Sequence, residues 1–172
     1  MEFADLAKQI RWQKELPEIE TMHVTLCFDP GHTTGWAVFK CMTLQDSGEI
    51  DTTDIEKATA EVELLLSEHQ PDALVIEDYR VYKWRAKHHA GSDMLTTRVI
   101  GCIETLAVIC HIPLIVKQPA HIAKGFCDDK KLRKWGYYSK GQKHARDAIR
   151  HGCYFLLFGA IKKADRARQT VG

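Results

Sequence analysis

The stretch Val24-Thr25-Leu26-Cys27-Phe28-Asp29-Pro30-Gly31 limits the possible folds more than any other part of the sequence. Val24, Leu26 and Phe28 fall on one face and Thr25 and Cys27 on the other, the period-two mark of a half-buried strand. Pro30 cannot donate to a ladder and Gly31 accepts turn dihedrals, so the strand stops there with Asp29 at its end. Gly35-Trp36-Ala37-Val38-Phe39 resumes as a second strand, close enough to form a hairpin. A carboxylate that ends a central strand and faces a Gly/Thr turn suits a metal ion, although for Asp29 alone a turn cap is the simpler role.

A chain of 172 residues suits one domain with a sizeable core. Its charged fraction of 27% and hydrophobic fraction of 45% are those of an ordinary globular protein, so disorder is not expected. A net charge of +1 argues against a uniformly basic nucleic-acid binder but leaves room for clustered charge. Cys27, Cys41, Cys102, Cys110, Cys127 and Cys153 form no CxxC pair and no zinc-type spacing. Most lie in apolar runs, which makes them small core residues and not a disulfide framework. With no signal peptide and no apolar run of transmembrane length, a cytoplasmic protein without a membrane partner is expected.

Residues 1–20 read as an N-terminal extension, with Phe3, Leu6, Ile10 and Trp12 on a short amphipathic helix across 2–16. The second strand spans about 35–43, and Gln45-Asp46-Ser47-Gly48 reads as a turn into a third near 48–53. Asp54 is the expected N-cap of a helix reaching about His69, with Ala58, Val62, Leu65 and Leu66 as its apolar stripe. Ala73-Leu74-Val75-Ile76-Glu77 is a continuous apolar run, which suits a strand buried on both faces in a parallel arrangement, and it too ends in a carboxylate. By alternation Asp78 points away from Glu77 and reads as a turn residue. A basic, aromatic segment follows from Tyr79 to His89. Ser92 is the expected N-cap of a helix over 93–111 with Met94, Val99, Ile103, Leu106 and Ile109 toward the core. Ile112 to Val116 is a further short strand, and 117–142 is lysine-rich. In the last helix Ala145, Ala148, Ile149, Gly152, Cys153 and Leu156 form one stripe, with His144 and Asp147 at i and i+3 on a neighbouring face. His151, one turn further on, reads as structural. The basic residues at 163–172 form a tail.

This order of elements predicts an α/β fold: a mixed five-stranded sheet, an antiparallel meander plus two parallel strands reached by helical crossovers, flanked by helices. If the first and fourth strands are neighbours, Asp29 and Glu77 lie side by side at their carboxyl ends, and the last helix presents His144 and Asp147 from above. Carboxylates and an imidazole converging in this way call for a cation. Mg²⁺ and Mn²⁺ suit such ligands, since hard cations prefer carboxylate oxygen and Mn²⁺ also accepts imidazole. Two such ions would activate a water and stabilise the leaving oxygen of a phosphodiester. The competing roles are turn caps for the strand-end acids and a solvated helix face for His144 and Asp147.

The pattern Phe28-Asp29-Pro30-Gly31 with Thr34-Gly35-Trp36-Ala37, then Val75-Ile76-Glu77, then His144-Ala145-Arg146-Asp147-Ala148, resembles the RuvC-type Holliday junction resolvases of the RNase H-like superfamily. The resemblance implies an RNase H-like nuclease domain over 21–162. It implies that Asp29, Glu77, His144 and Asp147 are the catalytic and metal-binding set for two Mg²⁺ or Mn²⁺ ions. It also implies a homodimer that grips a four-way junction and leaves 5′-phosphate and 3′-hydroxyl ends, in a bacterial cell or a phage-infected host. The family's lysine-bearing segment after the fifth strand is matched only loosely by Lys124, Lys130 and Lys131, and the N-terminal extension has no counterpart.

The expected DNA contacts are Arg80, Tyr82, Lys83, Trp84, Arg85 and Lys87 in the basic aromatic segment, with Lys124, Lys130, Lys131, Lys140 and Lys143 further along. Lysine and arginine would neutralise phosphates, and Tyr82 or Trp84 would stack on an unpaired base at a branch point. Two other readings stand beside this one. The first is a different RNase H-like nuclease, RNA-processing or transposase-like. The second is a non-catalytic module that binds branched DNA, against which the retention of all four polar positions argues.

Overall fold

In the computed structural model of the chain, residues 1–16, 23–79 and 94–159 are described. The strands are β1 (Val24–Asp29), β2 (Thr33–Lys40), β3 (Thr43–Asp51), β4 (Ala73–Asp78) and β5 (Leu114–Pro119). The helices are α1 (Phe3–Gln13), α2 (Ile55–His69), α3 (Leu95–Ile109), α4 (Ala120–Phe126), α5 (Asp129–Lys134) and α6 (Lys143–Phe158). The strands form one sheet in the order β3-β2-β1-β4-β5, with β1–β2 and β2–β3 antiparallel and β1–β4 and β4–β5 parallel. This is the mixed sheet of an RNase H-like fold, and β1 and β4 are neighbours.

Alternation along the central strands sends side chains into two cores. Cys27, Ala37, Phe39 and Val75 face α6 and α1, whereas Leu26, Phe28, Val38, Leu74 and Ile76 face α2 and α3. Each face therefore removes its own apolar area from water, at roughly 25 cal/mol per Å². Asp54 caps α2 as expected, accepting from the backbone N–H groups of Glu56 and Lys57. The predicted stripe of α6 is buried throughout.

Several expectations are corrected. The β2–β3 turn is Cys41-Met42, at φ 48° and 65°, and not the polar segment at 45–48. Two left-handed residues give a hairpin loop whose twist matches the strands. Asp46, Ser47 and Gly48 lie inside β3, and a bulge between Val38 and Phe39 leaves Gln45 as the extra residue. Gly48 pairs with Trp36, whose indole would sit 2.8 Å from any added Cβ, so the glycine serves close packing. Trp12, placed in the apolar stripe of the first helix, is 83% exposed, while Arg11 is buried and donates to the carbonyls of Leu156 and Gly159. Phe3 and Ala7 carry the packing of α1, with the Phe3 ring 5.0 Å from that of Trp135. Met94 and Ile109, expected in the core, are exposed. The expected cap Ser92 and the basic tail lie outside the described residues.

Two glycines let α6 lie directly on the sheet. A Cβ on Gly35 would fall 1.9 Å from the His144 carbonyl oxygen, and one on Gly152 would strike Phe39 and the Cys27 sulfur. Gly35→Ala is therefore expected to lower stability by about 1–3 kcal/mol, because only backbone movement relieves the clash. Gly101→Ala, in open space within α3, should instead raise it by about 0.5–1 kcal/mol. Thermal unfolding of both variants checks the pair, and equal effects would contradict the close approach.

Candidate active site

Residues two apart in a strand share a face, so Asp29 lies on the Cys27 face, Gly35 on the Ala37 face and Glu77 on the Val75 face, all toward α6. The pairing Glu49↔Gly35, Gly35↔Asp29 and Glu77↔Gln118, with Phe28 opposite Ile76, sets these residues in one row across the sheet. Helix α6 crosses that row. At its start, the backbone N–H groups of His144 and Ala145 donate to Glu49 Oε1 at 2.8 and 3.3 Å, and His144 Nδ1 lies 3.1 Å from Asp29 Oδ2. Two turns later, His151 Nε2 is 2.9 Å from Glu77 Oε2 and its Nδ1 is 2.8 Å from Gln118 Oε1. Residues seven apart on a helix are about 10.5 Å apart, close to the two spacings of about 4.8 Å from β1 to β5, so His144 stands over Asp29 while His151 reaches Glu77 of the intervening β4 and Gln118 of β5. One helix thus meets acids on both central strands.

Between those ends lies Asp147, buried in the second turn of α6. Lys124, from α4, puts its ammonium 3.2 Å from Asp29 Oδ1, 2.9 Å from Glu77 Oε2 and 3.2 Å from Asp147 Oδ2. Lys124, expected as a DNA contact, thus sits at the acids themselves. Lys131 also bends inward, to the Phe126 carbonyl and ring. Lys130, Lys140 and Lys143 are exposed. Arg80, Tyr82, Lys83, Trp84, Arg85 and Lys87 lie outside the described residues.

The structure brings Asp29, Glu77, His144 and Asp147 together. Sequence reasoning missed Glu49, which caps α6 from a neighbouring strand, and Arg150, whose guanidinium bonds Asp147 and Asp129. His151, expected to be structural, bonds Glu77. The available signal was spacing, since Arg150 and His151 follow Asp147 at i+3 and i+4 and so lie on its side of the helix.

The electrostatics follow from burial. Desolvation, then a hydrogen bond and repulsion from Glu77, push the Asp29 carboxyl up to about 8 against the pull of Lys124. Burial acts on Glu77 in the same direction, but hydrogen bonds from His151, Asp29 and Lys124 outweigh it and hold Glu77 well below the usual carboxylate range. Of the two acids, Asp29 is therefore the one that holds a proton more readily. Lys124 loses solvation too, yet the surrounding carboxylates raise its affinity for its proton. Three carboxylate oxygens around one cationic atom, with imidazole at hand, are a donor set that fits a hard divalent ion. Asp29, Glu77 and His151 each offer a ligand atom within 4.8 Å of the others.

A carboxyl whose affinity for protons is raised by folding destabilises the protein as pH climbs. Below its unfolded value, near 3.8, the group is protonated in both states, and the penalty grows until pH passes about 8. Without divalent ions, Asp29→Asn should therefore melt higher than wild type at pH 8–9 and match it near pH 4, as read by thermal melts across pH in EDTA. Parallel curves would show that Asp29 carries no such burden.

No family model and no curated protein matches the sequence. Solved structures do match. The Thermus thermophilus RuvC structure in complex with a Holliday junction substrate superposes with a TM-score of 0.59 at 16% identity, covering 86% of this chain and 96% of that one. A second T. thermophilus RuvC structure gives 0.59 and 16%, covering 85% and 96%. The yeast mitochondrial Holliday junction resolvase Ydc2 gives 0.51 and 10%, covering 94% and 85%. This chain has the RNase H-like fold that RuvC and Ydc2 share.

Proposed function

We propose that this protein is a metal-dependent endonuclease that cuts branched DNA, four-way junctions above all. The observation that carries this reading is the meeting of Asp29, Glu77 and Asp147, from β1, β4 and α6, around a single cationic position. The likeness to RuvC bound to a Holliday junction supports the choice of substrate.

Asp29, Glu77, His144 and Asp147 would hold two Mg²⁺ or Mn²⁺ ions. When bound, such ions supply an activated water and charge stabilisation at the leaving oxygen, giving 5′-phosphate and 3′-hydroxyl ends. Lys124 keeps a positive charge beside the acids, available to the scissile phosphate. Exposed Lys130, Lys140 and Lys143 would contact flanking phosphates, as would the basic side chains at 80–87. Tyr82 and Trp84 would stack on unpaired bases. Two matched nicks in a nearly two-fold junction call for a pair of sites, so the working form is a homodimer. The exposed Val108 and Ile109 of α3 support an interface on that helix. Such an enzyme would work in the cytoplasm of a bacterial cell or a phage-infected host.

Labelled four-way, three-way and linear DNA, and RNA–DNA hybrid, incubated with Mg²⁺, Mn²⁺ or EDTA, test the proposal. Cutting should be confined to branched DNA with a divalent ion, and Asp29→Asn should abolish it while binding persists, since phosphate contacts come mainly from lysine and arginine. Cleavage in EDTA would refute the reading, and cleavage of the hybrid alone would favour an RNA-directed nuclease. Because a proton on Asp29 competes with the ion, the ion concentration for half-maximal rate should fall as pH rises toward about 8 and then level off. His144→Ala should slow cutting about tenfold or more with folding intact, and His144→Asp should retain more activity. A folded His144→Ala enzyme with the wild-type rate would remove this residue from the site.

A further inference from the structure

We infer that Arg150 is a positioning residue that makes Asp147 present a single oxygen, Oδ2, to the metal-binding centre; the inference rests on the nuclease reading above. Every nitrogen of the Arg150 guanidinium is engaged. Nη1 bonds Asp147 Oδ1, Nη2 bonds Asp129 Oδ1, and Nε donates to the Cys127 carbonyl at 2.8 Å. Asp147 Oδ2 is left facing the Lys124 ammonium at 3.2 Å. The side chains of Arg150 and Asp147 are only 14% and 7% exposed, so water competes weakly for these bonds.

The anchoring comes from outside the helix. Cys127 and Asp129 sit where α4 gives way to α5, and their two bonds fix the plane of the guanidinium that Asp147 meets. A carboxylate with both oxygens free can bind an ion through one or both of them. With Oδ1 committed to arginine, Asp147 offers one oxygen in one orientation. Lysine cannot replace this arrangement, because a rotating ammonium lacks the planar fork that joins three acceptors at once.

The test uses the full chain as wild type, Arg150→Ala and Arg150→Lys, with circular dichroism as folding control. The readouts are Mn²⁺ binding by calorimetry, carboxylate stretches in Mn²⁺-minus-apo infrared difference spectra, and single-turnover junction cleavage at saturating Mn²⁺. Arg150→Ala should bind Mn²⁺ no more weakly than wild type, since a positive charge beside the site has gone. Its saturating rate should fall about tenfold or more, and added guanidinium ion should restore part of it. The infrared signature of one-oxygen binding should be present in wild type and lost in both variants. Arg150→Lys should be slow as well, and it decides the matter if Arg150→Ala does not fold. A wild-type rate and spectrum in a folded variant would overturn the inference, as would weaker Mn²⁺ binding, which marks general damage to the site. If the wild type binds Mn²⁺ but cuts no DNA, the nuclease reading fails, and the infrared comparison alone decides for or against Arg150.

Discussion

Asp29, Glu77 and Asp147 bring three carboxylates around one ammonium, and such a cluster is costly in a protein interior unless positive charge is present. Much of the surrounding structure supplies or steers that charge. Lys124 turns inward from α4, Arg150 takes the outer oxygen of Asp147, and His151 bonds Glu77 from α6. The place is set by topology. The sheet order reverses direction at β1, whose chain neighbours β2 to one side and β4 to the other. Crevices at the carboxyl ends of strands at such a switch are where open α/β sheets collect their functional groups.

Much of this was legible in the chain because it is local. A strand that ends in Asp-Pro-Gly, an apolar run that ends in Glu77, and a helix with a clean stripe each announce themselves within a few residues, and so does the Asp54 cap. What escaped depends on distant partners or on unusual backbone. The Cys41-Met42 turn uses left-handed dihedrals without glycine or asparagine, so the Asp-Ser-Gly segment nearby drew the turn instead. Gly48 belongs to a strand because an indole lies over it. Lys124 stands among many lysines, and only the fold brings it to an aspartate 95 residues away. The burial of Arg11 is equally beyond the local sequence, since the carbonyls it binds come 145 and 148 residues later.

The two histidines of α6 show how a site can be wider than its motif. His144 was picked out by its spacing from Asp147, whereas His151 is seen to matter only once Glu77 and Gln118 are known to be cross-strand neighbours beneath it. Helix rise and strand spacing are commensurate over that distance, so a linear repeat of seven becomes a span across two strands.

Helix ends ordinarily fray, because their outermost N–H and C=O groups lack partners within the helix. In α6 both ends are held from elsewhere in the chain: Glu49, on an outer strand of the sheet, takes the first N–H groups, and Arg11, on the N-terminal helix, takes carbonyls at the last turn. Opening the turn that carries His144 therefore breaks the Glu49 cap as well. Fraying at either end of α6 thus costs bonds to β3 or to α1 beyond the helix's own, and the turn that carries His144 is tied to the sheet on which Asp29 stands.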